Sequence, residues 1–284
     1  MASENQTADD ERLTEAAARQ RYAQWSGQAE RYDASRPAAP PALPPLLTQL
    51  AHTPRPALVV DLGSGTGLST LPWADIASEV IGIEPNDDMR QAAERRLARE
   101  RLAATNVRFV AATAQATGLP DACADIVTAS QAFHWMEPTA TLAEIARILR
   151  PGGVFAAYDH DWPPLVTWEV EALFHDFMDR MFAAARAHDF DPATPGWEKS
   201  GHLERLRASG VFRWVKEVTL HNSEPCDADR YIGMSLTNFA GQLIARGILT
   251  PEEIGLAAYE RETRAAFTTP MFWHVSYRVR LGVR

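Results

Sequence analysis

Between residues 57 and 159 the chain switches back and forth between short, continuously apolar runs and longer amphipathic ones. The runs "ALVVDL" (57–62), "EVIGIEP" (79–85), "VRFVAA" (107–112), "ADIVTAS" (124–130) and "VFAAYDH" (154–160) read as strands buried on both faces. Helices are expected between them: from about Leu68 to Ala77, over "NDDMRQAAERRLARERL" with Asn86 as N-cap and acids in the first turn, and over "PTATLAEIARILR", which "PGG" ends. Such alternation leaves few options. Parallel strands need crossover connections, crossovers lay helices on both faces, and the outcome is a doubly wound α/β sheet.

On either side the rhythm changes. Residues 1–10 are polar and acidic, with nothing to bury, and read as disordered. From Glu11 to about Tyr32 the pattern is helical, broken near Gly27, and "RPAAPPALPP" then interrupts regular structure. Beyond 160 come a helix from about Thr167 to Ala187, a loop, and a second helix over "EKSGHLERLRASG". "FRWVKEVTLHN" alternates like a half-exposed strand, helices follow at about 227–246 and 251–267, and "FWHVSYRVRLG" is a last strand. The expected architecture is a Rossmann-like, mainly parallel sheet of seven strands. Residues 1–45 form a tail, a helical lid and a proline-rich linker; 46–160 form the core; 161–284 form a helical cap plus the last two strands.

The first strand runs into "DLGSGTGLS" (61–69), a glycine-rich turn of the kind that cradles a nucleotide. A dinucleotide loop reads G-x-G-x-x-G, but Gly63, Gly65 and Gly67 give G-x-G-x-G, and Leu68 stands where the third glycine would be. A phosphate-binding P-loop needs a lysine after the glycines, and none is here. Backbone passing close to an uncharged thioether or an amino-acid tail fits this spacing better. A net charge of −9 excludes a basic surface for nucleic acid. The two cysteines, Cys123 and Cys226, make neither a zinc ribbon nor a disulfide scaffold and fit a cytoplasmic setting. No run approaches the roughly 20 apolar residues of a membrane span, and "MASENQTADDERL" is unlike a signal peptide.

Taken in order, "VVDLGSGTG" (59–67), Glu84 at the end of the second strand, "ATAQATGLPDACADIV" (112–127), "SQAFHWME" (130–137) and "RILRPGGVF" (147–155) resemble the class I S-adenosylmethionine-dependent methyltransferases. The resemblance is strong over roughly 57–160. It implies S-adenosylmethionine as cofactor and S-adenosylhomocysteine as its product form. It places Asp61, Gly63, Ser64, Gly65, Thr66, Gly67, Glu84, Pro85, Met89, Thr113, Ala114, Gln115 and Ser130 around that cofactor. Glu84 would accept the ribose hydroxyls, Asp61 would order the loop and meet the ammonium group, and Pro85 and Met89 would flank the adenosine. Relatives often carry an acid at 113 or 115, where this chain has Thr113 and Gln115. "WSGQAERYDASRP" (25–37) resembles the lid of small-molecule methyltransferases of the trans-aconitate and ubiquinone-pathway kind, and Arg36 could pair with the cofactor's carboxylate.

For an acceptor that must lose a proton, His134 after the fourth strand and Asp159 after the fifth are the candidate bases. "DHD" (159–161) is not expected to hold a metal, because consecutive strand residues point to opposite faces. Tyr22, Trp25, Tyr32, Phe133, His134, Trp135 and Trp162 are expected around the acceptor, an apolar or ring-containing small molecule methylated on oxygen or nitrogen, in a monomer or homodimer. A nicotinamide-dependent oxidoreductase and a catalytically silent binding protein of the same fold stay open as alternatives.

Overall fold

The computed structural model describes residues 27, 29–100, 105–190, 196–237, 239–269 and 271–284. Its centre is a seven-stranded sheet of order β3-β2-β1-β4-β5-β7-β6, built from β1 (Leu58–Leu62), β2 (Glu79–Ile83), β3 (Val107–Val110), β4 (Ala124–Ser130), β5 (Leu149–His160), β6 (Trp214–Cys226) and β7 (Met271–Val283). The first five strands pair in parallel, while β7 runs antiparallel to both β5 and β6. The chain leaves β1 for β2 on one side and reaches β4 on the other. A crevice therefore opens beyond the carboxyl end of β1, where open α/β sheets bind their ligands.

Helices α1 (Ala29–Ser35), α2 (Leu43–Leu50), α3 (Asp87–Arg99), α4 (Pro138–Ile148), α5 (Trp168–Ala187), α6 (His202–Ala208), α7 (Ala228–Leu236), α8 (Phe239–Ala245) and α9 (Leu256–Ala266) surround the sheet. Alternation along β5 divides the core. Val154, Ala156 and Tyr158 face one layer with Leu43, Leu47, Phe174 and Tyr277, and Phe155 and Ala157 face the other with Phe133, Leu142 and Ile145. A third cluster, Phe177, Met181, Leu243, Ile254 and Tyr259, lies within the cap.

Several boundaries differ from the sequence reading. The expected helix over 68–77 is only a 3₁₀ turn at Leu71–Trp73, where Pro72 has no N–H for a continuing α-helix. The proline-rich stretch contains an unexpected helix, α2, whose Pro44 and Pro45 lie in the first turn, where the missing donors cost nothing. "PGG" does not stand outside the fifth strand. β5 begins at Leu149, with a register shift against β4, and Gly152 takes φ +82° there. The helix expected over 227–246 is two helices, α7 and α8. Most of the expected 11–32 helix, with Tyr22 and Trp25, lies outside the described residues. The described part, α1, and the two residues after it pack against the core: Ala29 and Ser35 of α1 are buried, as are Arg36 and Pro37.

Candidate functional site

The glycine turn is shaped by what lies against it. Gly63 and Gly67 hold φ of +67° and +80°, in the left-handed region open to glycine. A methyl group on Gly63 would come within 2.7 Å of the Ala132 Cβ. The turn is tied to β2, because Gly63 and Ser64 donate to the Ile83 carbonyl at 2.8 and 3.1 Å and Gly65 N–H donates to Glu84 Oε2 at 2.9 Å. Glu84 Oε1 also accepts from Asn86 N–H at 2.8 Å. Burial pushes the Glu84 carboxyl up from its ordinary range, against the pull of those backbone donors. Asp61, wholly buried, accepts from the hydroxyls of Ser69, Thr70 and Thr128, each at 2.7 Å. It orders the loop from beneath and does not itself line the cleft.

Two connected chambers open over this turn. The first, about 690 Å³ and open to solvent, is lined by Tyr32, Gly63, Gly65, Glu84, Pro85, Met89, Ala114, Ser130, Gln131, Ala132, Trp135 and Met136. The second, about 460 Å³, continues past Tyr32, Ser130 and Gln131 to Arg36, Ser64, Thr66, Ser69, His160 and Tyr277. Of the residues expected around a cofactor, Thr113 and Gln115 are half-buried beside the turn that presents Ala114, and neither lines the cleft. Gln131, Ala132, Met136, Ser69 and Tyr277 line it without having been singled out in the sequence. Gln131 takes φ +51°, unusual for a side-chain-bearing residue, and accepts from Lys199 Nζ at 3.1 Å.

Arg36 is the charge that stands out. Its side chain is buried, and among the described residues no carboxylate pairs with it. Its Nη2 donates to the Thr237 carbonyl at 3.1 Å and its Nε has no partner. The guanidinium lies 4.6 Å from the Tyr32 ring centre and 5.1 Å from that of Trp162. Burial pulls its pKa down. Tyr32 and Trp162, expected at the acceptor, thus enclose this cation.

On the opposite face of β5, His134 Nδ1 lies 3.2 Å from Asp159 Oδ1. Asp159 also meets Lys199 at 3.3 Å and Arg280 at 3.1 Å. Burial would raise this carboxyl, but His134 and Lys199 hold it well below the usual carboxylate range. Burial lowers His134 and takes His202 down to about 3. Phe133 is core, edge-on to Phe155 and His202, and only Trp135 of the Phe-His-Trp stretch reaches the cleft. The donors of His134, Asp159 and His202 lie within 4.8 Å of one another, a cluster that the "DHD" reading did not anticipate. Arg205 donates to His202 Nδ1 at 3.1 Å, however, which puts the proton of a neutral ring on Nε2. With Lys199 and Arg280 already on the carboxylate, this donor set suits a buried ion-pair network better than a divalent cation.

Residues 60–157 match the family described as "Methyltransferase domain". An uncharacterized methyltransferase of Mycobacterium tuberculosis is 33% identical over 123 residues, 43% of this chain and 46% of that protein. The uncharacterized methyltransferase YcgJ of Bacillus subtilis is 30% identical over 158 residues, 55% of this chain and 59% of its own length. The chain thus spans about half the length of the curated relatives it matches. A solved structure from Anaeromyxobacter dehalogenans, assigned as a type II methyltransferase, superposes with a TM-score of 0.60 at 27% identity, covering 87% of this chain and 97% of that one. Among the described residues no helix is long and apolar enough to cross a membrane.

Proposed function

We propose that this protein is a class I S-adenosylmethionine-dependent methyltransferase, its residues 60–157 matching a methyltransferase-domain family, and that it binds S-adenosylmethionine in the two-chambered cleft and methylates a small molecule on oxygen or nitrogen. The observation that carries this is Arg36, a buried cation without a counter-charge among the described residues, at the far end of a cleft whose other end holds Glu84. Buried charges are paired in folded proteins, so an unpaired one beside a glycine turn calls for an anionic group on the ligand. A ligand with a carboxylate at one end and a ribose diol at the other meets both requirements. When bound, S-adenosylmethionine supplies an electrophilic methyl group on sulfur, which an acceptor's lone pair takes in line as the S–C bonding pair returns to sulfur.

The chain's part in this is alignment and water exclusion. Pro85, Met89 and Ala114 bound the adenosine end, Glu84 accepts the ribose hydroxyls, and Arg36 holds the carboxylate. Ser130, Gln131 and Trp135 form the wall past which the acceptor approaches. His134 and Asp159 lie behind that wall. In this reading they brace it, and the acceptor's proton leaves without their direct contact. The nicotinamide alternative is not favoured. Calorimetry tests the proposal: S-adenosylhomocysteine binds the wild type and NADH does not, and binding of NADH in its place overturns it.

A further inference from the structure

The Arg36 cage has a fourth side that neither the sequence motifs nor the family match addresses. His160, the residue after Asp159, turns to the opposite face of the sheet. Its Nδ1 lies 3.2 Å from the Asp161 carbonyl, and its Nε2 lies 3.5 Å from Arg36 Nη1. A carbonyl only accepts and a guanidinium only donates, so the two contacts together select one tautomer: proton on Nδ1, lone pair on Nε2 facing the cation. The ring is buried, 5.0 Å from Trp162 and 5.7 Å from Tyr277 between centroids, and it lines the second chamber.

We propose that His160 is a positioning residue: as a neutral hydrogen-bond acceptor it fixes the Arg36 guanidinium, with Thr237 and the two aromatic rings, so that the fork meets a ligand carboxylate. This rests on the cofactor reading above. An arginine side chain left free to rotate gives up much of its binding energy to ordering. Here Nη2 is fixed by Thr237 and Nη1 by His160, which leaves the buried Nε without a partner. Burial and the neighbouring Arg36 hold the His160 ring at about 3, so it carries no competing positive charge near neutral pH. The usual expectation for a histidine at a strand tip, a general base, is the role this one is least able to fill, since its lone pair already faces Arg36.

The test compares two ligands that differ at the carboxylate end. S-adenosylhomocysteine carries the amino-acid tail and 5′-methylthioadenosine lacks it. The wild type should bind the first more tightly, and Arg36→Met should remove that advantage. His160→Phe keeps a ring against Trp162 and Tyr277 but has no lone pair. It should weaken S-adenosylhomocysteine about tenfold, on the scale of a hydrogen bond to a charged group, while leaving 5′-methylthioadenosine unchanged. His160→Gln, which restores an acceptor near the Nε2 position, should recover most of the loss. Equal weakening of both ligands, or no change in either, overturns the positioning role. A wild type that binds no S-adenosylhomocysteine removes the cofactor reading as well. An Arg36→Met effect with a silent His160→Phe removes this inference alone.

Discussion

Glu84 holds two backbone N–H groups in this structure, Gly65 in the glycine turn and Asn86 at the start of α3. A carboxylate has room for further donors, so ribose hydroxyls can join without displacing either. Glu84→Ala should weaken S-adenosylhomocysteine binding by about 1.5–3 kcal/mol. Melting curves without ligand would separate any loss of the turn from loss of the contact, and an unchanged affinity would mean that the ribose is held elsewhere. Glu84 and the glycines were legible in the sequence because they sit at the ends of adjacent strands in a local pattern. The Arg36 cage was not. Its members Tyr32, His160, Trp162 and Thr237 come from separate parts of the chain and meet only in the folded protein.

The seam between β2, β3 and the glycine turn shows how tightly elements constrain one another. A methyl group on Gly82 would approach the Phe109 ring to 2.5 Å and Ser64 Oγ to 2.7 Å. Gly82→Ala should therefore destabilise the fold by about 1–3 kcal/mol, the usual penalty for overpacking, and should weaken S-adenosylhomocysteine binding by moving Ser64. A variant as stable as the wild type would show that the seam yields. Latches of a different kind hold α1 down: Asp33 accepts from Thr66 Oγ1 at 3.0 Å and pairs with Arg96 on α3. Of the helical lid expected from the sequence, the described stretch 29–37 is held by polar anchors on distant elements that no local pattern reveals. The strand run from 57 to 160 was read well because apolar runs bounded by turns announce buried strands. Helix ends next to Pro72, Pro44 and Pro45 were misjudged because a proline's effect depends on which turn it falls in.

At the scale of the whole molecule, buried imidazoles set a response to acid. His160 and His202 sit at about 3 and His134 is lowered as well, all chiefly through burial. An unfolded histidine titrates near pH 6.5 (about 6.5 in peptides). Below that pH the unfolded chain binds protons that the folded chain refuses, so their full stability is present above about pH 6.5 and lost progressively toward about pH 3. Each fully shifted ring contributes a slope of up to about 1.4 kcal/mol per pH unit. Urea melts at pH 7.5, 6.5 and 5.5 should show falling stability, with a shallower fall in His202→Phe; a flat profile would contradict the burial of these rings. The seven strands and the mainly parallel sheet were legible from the alternating runs, but the order that puts β7 between β5 and β6 was not, nor was the charged layer around Asp159, because Lys199, His202 and Arg280 reach it from later elements of the chain. Position within the sheet also dictates when the protein can become itself. β7 sits between β5 and β6, and Arg284 exchanges backbone hydrogen bonds with Gly152 and Gly153. Without β7 in place, β6 has no neighbour and β5 keeps an open edge, so folding passes through a stage with one unpaired strand and one exposed edge. Such long-range closure is slow, and completion of the sheet should wait on β7 slotting between β5 and β6.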